Sequence, residues 1–495
     1  MDRDEILKRV SGRTEPWDMI VIGGGATGVG CALDAASRGC DVLLLERFDL
    51  GKGTSSRSTK LIHGGVRYLE QGNIALVREA LRERGILHRN APHAVRKTEF
   101  IVPCYSVWQM LYYAAGLKIY DLLAGKYSFG RSAMLSRNET LTRLPNINAK
   151  SLRGGVSYFD GQFDDSRLLI DIAVTADRHG AAILNYAPVT SLTKDTTGRA
   201  NGVVFQDSES GHSFTAAAKC VINATGAFCD DVRKMSDPAA EDLVTLSQGV
   251  HLVFDGTFCP GESATIVPKT SDGRVLFIIP WQGHTLAGTT DTPIDHAEPE
   301  PRALEQEIDF ILRTAAGYLA KPPCRHDILS VFTGIRPLLR SAAASSTASL
   351  SREHAIVTDA AGMITVTGGK WTTYRKMAED TVDKAVEMSG FENRACRTKN
   401  LPIEAPPEAE RGGGRLHSNL PYTRSDVLRA VRSQMARTVE DVLSRRTRAL
   451  LLNARAAVEI SEPVAEIMAE ELGKDDHWCV EQVRQFTELS ETYSA

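Results

Sequence analysis

The sequence predicts an α/β fold, α+β over its full length. It has a parallel-sheet nucleotide-binding domain, an inserted antiparallel sheet and a C-terminal helical domain. Three observations carry this. Residues 18–22 (DMIVI) read as a buried strand, followed by Gly23-Gly24-Gly25-Ala26-Thr27-Gly28, a helical pattern through Ala32, Ala35 and Ala36, and a second strand at 41–45 ending in Glu46. Residues 246–293 hold the strand-like runs GVHLVFDG, ATIVPK, RVLFIIPW and HTLAGTTD. Beyond the Pro/Gly-rich linker at 402–414 the chain turns helical and arginine-rich.

The first unit fits the ~30 residues of a Rossmann-type βαβ fingerprint. Gly23 permits the tight turn, Gly25 lets backbone approach a pyrophosphate, and Gly28 lets helix pack on strand. The helix N-terminus offers free N–H groups and the positive end of its dipole to phosphates. Glu46 suits ribose hydroxyls and repels a 2′-phosphate. The fingerprint alone does not separate NAD from FAD.

The chain has 495 residues, enough for two or three domains. Its 42% hydrophobic and 24% charged content is that of a soluble globular protein, and the net charge of -4 argues against a nucleic-acid partner. Nine scattered cysteines show no metal-like spacing and suggest reduced thiols. Residues 1–15 read as a polar leader without the apolar core of a signal peptide. Residues 74–89 form a charged amphipathic helix. Residues 105–126 form an aromatic, apolar helix with two open readings, burial or contact with a membrane surface. Helices follow at 166–180 and 303–321, with strands at 182–186, 219–223 and 364–367. The C-terminal arginines Arg424, Arg429, Arg432, Arg437, Arg445, Arg446, Arg448 and Arg455 suggest a solvated face or a contact with an anionic lipid or a protein.

Two motifs stand out: TSSRSTKLIHGGVRYLE at 54–70 and TGGKWTTYR at 367–375. With IVIGGGATGVG, INATGAF, LAGTTD, FTGIRPLL and SREHAI they resemble FAD-dependent glycerol-3-phosphate dehydrogenase, the quinone-linked aerobic family. ARTVEDVLSRRTRALLLNARAA is similar to that family's helical cap. The resemblance spans nearly the whole chain, with one departure. Phe228 stands where the family usually has tryptophan.

The resemblance implies a discontinuous FAD-binding domain (16–95, 150–245, 326–395), a substrate-binding domain (96–149, 246–325) and a cap at 415–495. It implies oxidation of sn-glycerol 3-phosphate to dihydroxyacetone phosphate, with hydride passing from carbon 2 to flavin N5 and electrons to membrane quinone. It also implies cytoplasmic location, peripheral attachment to membrane lipid and, as an open point, a homodimer. Arginine's planar fork suits a phosphate, so Arg67, Arg336 and Arg352 are expected to clamp it, with Tyr68 and Lys370 beside them. His63 and His251 are the candidate bases, because neutral imidazole removes protons near pH 7. Arg336 and Lys370 complete the catalytic set. Thr54, Ser55, Ser58, Lys60, Leu61 and His63 are expected along the pyrophosphate and ring. Val189, Ala224, Gly226, Asp291, Gly369, Lys370 and Thr372 complete the cofactor contacts. The helix opening at Thr372 is expected to point its positive end at the N1–C2=O edge.

Three rivals differ in what the residues must do. A glycerol-3-phosphate oxidase would use the same site but reduce dioxygen to peroxide. The long insertion of such oxidases is absent here. An amino-acid oxidase needs one arginine, not three. A non-enzymatic flavoprotein would not retain His63, Arg67, Arg336 and Lys370.

Overall fold

Alternation along the first strand sets the layers of the nucleotide domain. In the computed structural model, which describes residues 1–70, 72–268, 270, 273–340, 353–391, 394–406 and 414–495, Met19 and Val21 face one side of Trp17–Ile22 and Ile20 and Ile22 the other. The first side is covered by helices Ala26–Ser37, Asp165–Arg178 and Tyr374–Ser389. Trp17–Ile22 pairs in parallel with Val42–Leu45 and Ser213–Asn223. Ala182–Leu184 and Ile364–Gly368 extend the parallel run, and His354–Thr358 closes one edge antiparallel.

The second sheet is ten-stranded and antiparallel apart from the pair Val95–Cys104 with Ala264–Val267. It draws strands from stretches expected in the nucleotide domain. Leu61–Ile62, Gly154–Phe163 and Ile328–Leu339 all pair here. Composition does not distinguish a buried strand of one sheet from that of another. Ile328–Leu339 lies against Val244–Asp255, with Arg336 opposite Ser247 and Phe332 opposite His251.

Arg3–Ser11 is a helix capped by Asp2, and Ile6 and Val10 pack into the core. Buried Arg3 donates to Asp207 at 2.5 Å and to the carbonyl of Asn185. The aromatic helix spans Val107–Ala124 and is not buried. Only Leu117, Tyr120 and Ala124 are enclosed, whereas Trp108 is 82% and Leu122 80% exposed. No helix among the described residues is long and apolar enough to cross a membrane.

Arg445, Arg446 and Arg448 form no solvated face. All three are buried, and they dock the cap onto the nucleotide domain. Arg445 and Arg446 both donate to Asp49 Oδ2, at 2.5 and 2.6 Å. Arg448 donates to Asp165 Oδ1 at 3.0 Å and to the Ser56 carbonyl at 2.6 Å. Arg424, Arg429, Arg432 and Arg437 pair with Glu470, Asp426, Glu471 and Glu209.

Burial pushes the Asp49 carboxyl up, but Arg446 and Arg445 outweigh it and hold it at about 2. A carboxylate depressed in the folded state adds stability above its unfolded value, lost as pH falls through the folded one. Asp49→Asn should therefore cost about 3–5 kcal/mol at neutral pH, because it strands buried arginines. Denaturant titrations should show the gap between variant and parent narrowing from about pH 4 to about pH 2.

Candidate functional site

The glycine turn has the geometry its residues imply. Gly23 sits at φ 110°, and a Cβ there would lie 2.7 Å from the Ala224 carbonyl oxygen. A Cβ on Gly28 would lie 1.9 Å from the Gly23 carbonyl oxygen, so Gly28 serves close packing and does not line the cavity. Gly25 begins helix Ala26–Ser37 with no side-chain cap, which leaves N–H groups for an anion. Glu46 stands at the cavity wall. Its two oxygens accept from the Gly24 and Phe48 N–H groups at 2.5 and 2.8 Å, and burial pushes its carboxyl up. Each oxygen keeps a second lone pair for a ribose hydroxyl.

This turn opens into a cavity of about 570 Å³ between the two sheets. Of the candidate residues, Thr54, Ser55, Ser58, Leu61, His63, Arg67, Tyr68, Val189, Ala224, Gly226, His251, Asp291, Arg336, Gly369, Lys370 and Thr372 line it. Arg352 lies outside the described residues. Lys60 is not among the lining residues. At φ 63° its side chain turns away from the cavity, fully buried, and donates to Asp165 Oδ2 and the Ser56 carbonyl, both at 2.8 Å.

The hydroxyls of the 54–58 loop are engaged within the protein. Thr54 donates to the Ile335 carbonyl at 2.6 Å, and Ser58 to Asp165 at 2.7 Å. Ser55 accepts from the Ala26 N–H at 2.9 Å, so its own proton remains for a phosphate oxygen. These bonds fix the loop against the helix and the second sheet.

The two motifs meet. Trp371 Nε1 donates to the Ser55 carbonyl at 2.9 Å, and the His63 N–H donates to Thr372 Oγ1 at 3.2 Å. Gly368 and Gly369 both take positive φ, and a Cβ on Gly369 would lie 2.4 Å from Met377 Sδ. The α-helix itself begins at Tyr374, after one tighter turn at Trp371–Thr373, so its dipole starts two residues later than expected. Lys370 Nζ lies over the Tyr68 ring at 3.9 Å from the centroid.

Arg336 reaches across the neighbouring strand where Gly249 leaves room. A Cβ there would lie 2.1 Å from Nη2. Its guanidinium donates to the Gln248 and Thr290 carbonyls and to Thr289 Oγ1, and pairs with Asp291 at 3.6 Å. Asp291 also accepts from Ser247, so it orders Arg336. His251 stacks on Phe332 with centroids 4.8 Å apart, and its Nε2 lies 2.9 Å from Thr59 Oγ1. Its Nδ1 has no hydrogen-bond partner among the described residues. Burial, then the charges of Lys60 and Arg336, push the imidazolium well below the ordinary histidine value. The ring is neutral at physiological pH.

The family model described as FAD dependent oxidoreductase matches residues 18–375, and the C-terminal domain of alpha-glycerophosphate oxidase matches residues 394–479. The mitochondrial glycerol-3-phosphate dehydrogenase of Macaca fascicularis is 41% identical, over 95% of this chain and 72% of the relative. The chain belongs to the FAD-dependent glycerol-3-phosphate dehydrogenase family. Its human relative is 40% identical over the same shares of both chains. The solved glycerol-3-phosphate dehydrogenase from Bacillus halodurans, complexed with FAD, superposes with a TM-score of 0.80 at 29% identity, covering 99% of this chain and 97% of that one. A glycine oxidase from Geobacillus kaustophilus, at 18% identity and a TM-score of 0.57 over 79% of this chain and 100% of that one, shares the fold. FAD is the cofactor. The uncapped helix N-terminus, the Glu46 carboxylate and the Gly368-Gly369 turn fit its pyrophosphate, ribose and ring.

Sequence reasoning missed Thr59 and Trp371, although both lie inside the motifs. It also missed Arg47, which lies over the rings of Phe48 and Phe228 at 4.6 and 4.9 Å. A cation–aromatic stack across distant segments leaves no spacing signature. Gly28→Ala should yield protein without bound flavin, because the turn must open to admit a methyl group. The visible flavin absorbance of the purified variant checks this.

Proposed function

We propose that this protein oxidises sn-glycerol 3-phosphate to dihydroxyacetone phosphate and passes the electrons to membrane quinone from the cytoplasmic face of the membrane. One observation carries the substrate reading: Arg67, Lys370 and Arg336 line a single cavity with two histidines, against the glycine turn that fits the flavin. A phosphate dianion needs such convergent cations. When bound, FAD would supply the two-electron acceptor for the carbon 2 alcohol.

The chain's own residues do the rest. Arg67 and Arg336 hold the phosphate, and Tyr68 orients Lys370 through its ring face. His251, neutral and fixed between Phe332 and Thr59, takes the hydroxyl proton of carbon 2. His63, on the opposite motif, is the alternative base. With FAD bound, the positive end of helix Tyr374–Ser389 would stabilise negative charge on the ring. Peripheral attachment is supported by the exposed Trp108, Tyr112, Ile119 and Leu122 on one helix, a face that settles into a lipid interface.

His251→Asn should lower kcat by about 10²–10⁴-fold with little change in KM, as loss of a general base does. An unchanged kcat would transfer the role to His63. Arg67→Ala should raise KM by at least about tenfold while flavin stays bound. The reading itself is tested by assaying purified protein with sn-glycerol 3-phosphate and either a quinone analogue or dioxygen. Fast quinone reduction without hydrogen peroxide supports it. Fast peroxide formation makes the protein an oxidase, and no turnover with either acceptor overturns the substrate assignment.

A further inference from the structure

Asp165 grips the chain on both sides of Thr59. Its Oδ2 accepts from the Ser58 N–H and hydroxyl at 2.9 and 2.7 Å and from Lys60 Nζ at 2.8 Å. Ser58 and Lys60 are thus anchored to the buried carboxylate, and Thr59 between them stands half-buried at the cavity wall. Its hydroxyl oxygen lies 2.9 Å from His251 Nε2.

Two apolar contacts fix the plane of the His251 ring. Phe332 stacks on it within 13° of parallel. Gly288, opposite His251 across the sheet, leaves room for its edge, where a Cβ would lie 2.3 Å from Cδ2. Neither contact distinguishes the two nitrogens, but access does. Nδ1 is sealed from solvent and has no hydrogen-bond partner among the described residues, so it exchanges no proton with the cavity. Proton traffic runs through Nε2. A neutral ring that accepts a proton there carries its hydrogen on Nδ1 and one in-plane lone pair on Nε2. The opposite tautomer would turn the lone pair to the sealed side, and the ring would accept nothing. Burial, then the charges of Lys60 and Arg336, keep the ring neutral before reaction.

This pair stands beside the phosphate clamp. Gly249 and His251, two residues apart, share one face of strand Val244–Asp255. The Arg336 guanidinium lies against Gly249.

We propose that the Thr59 hydroxyl relays the proton of the carbon 2 alcohol to His251 Nε2. His251 is buried behind it, and the single lone pair of Nε2 is engaged by Thr59. A hydroxyl has one hydrogen to give and lone pairs with which to take another. The substrate hydroxyl donates to Thr59 Oγ1 while Thr59 donates to Nε2. In the step the substrate O–H bond breaks, Thr59 gives its own proton to Nε2 and takes the substrate's in exchange. The electron pair and hydrogen of the carbon 2 C–H bond leave to the two-electron acceptor named above. This inference rests on the reading of His251 as the base in the preceding section.

The test uses full-length flavin-loaded protein and times flavin bleaching by saturating sn-glycerol 3-phosphate in a single anaerobic turnover. Thr59→Val removes the hydroxyl at nearly constant volume and should slow bleaching about 10²-fold or more, the size of a lost proton-transfer group. The substrate concentration giving half the maximal rate should stay near the parental one. Thr59→Ser keeps the hydroxyl and should restore most of the rate. Thr59→Val combined with His251→Asn should be no slower than His251→Asn alone, because members of one relay are not additive. Nitrogen NMR of the oxidised protein with isotope-labelled histidine gives a readout without turnover. The His251 signals, identified by their loss in His251→Asn, should show the hydrogen on Nδ1.

Thr59→Ala decides the matter if Thr59→Val does not fold. A parental rate in the hydroxyl-free variant beside a slow His251→Asn would overturn the relay and leave His251 as a base reached directly. Thr59→Ser as slow as Thr59→Val, a double variant slowed by the product of the two single effects, or a hydrogen found on Nε2 would also overturn it. A parental rate in His251→Asn would instead overturn the base reading, and the relay with it.

Discussion

The buried carboxylate of Asp165 is the constraint on which the rest of the structure depends. It sits at the start of helix Asp165–Arg178 and accepts from Ser58 and Lys60 on one side and Arg448 on the other. Burial pushes the carboxyl up, but the charges of Lys60 and Arg448 outweigh burial and keep it ionised. One group therefore joins three distant pieces of chain: the loop beside the flavin site, a helix of the nucleotide domain and the C-terminal cap. Removing any partner strands a charge in a water-free interior, which is costlier than never having buried the pair. Arg445 and Arg446 on Asp49 repeat the device a few residues earlier in the cap.

This arrangement explains how a loop of small polar residues becomes a rigid wall. Thr54, Ser55 and Ser58 have their hydroxyls committed to Ile335, Ala26 and Asp165. Ser55 alone keeps its proton for an outside acceptor. The cations of the site are held in the same way. Arg336 is fixed by two backbone carbonyls and Asp291, and Lys370 by the ring of Tyr68. Groups already oriented before substrate arrives need not reorganise during reaction, the condition for electrostatic stabilisation. The neutral state of His251 follows from the same crowding, since burial and two nearby cations disfavour its protonation.

Much of this was legible in the sequence because it is local. The roles of Gly23 and Gly28 and the antiparallel sheet at 246–293 depend on residues close in the chain or on strand periodicity, whereas the meeting of the two distant motifs was legible through the family resemblance. What was not legible depends on partners far away. Lys60 reads as a site lysine by its neighbours, yet a positive φ and Asp165 turn it inward. Arg445, Arg446 and Arg448 read as a solvated face or a lipid or protein contact, because Asp49 and Asp165 lie hundreds of residues upstream. Gly154–Phe163 and Ile328–Leu339 look like any buried strands, and only pairing assigns them to the second sheet. The helix Val107–Ala124 is apolar nearly all round. Its exposure is therefore set by what packs nearby and not by its own pattern.

The central claim is that the flavin held in this cavity is reduced by a phosphorylated secondary alcohol. Its most direct test is anaerobic mixing of the purified protein with sn-glycerol 3-phosphate in a single turnover, with glycerol as control, following the visible flavin absorbance. The account predicts rapid bleaching by the phosphate ester and none by glycerol at equal concentration, because the cations of the cavity act on the phosphate. Flavin that is plainly bound but not bleached by sn-glycerol 3-phosphate would contradict it.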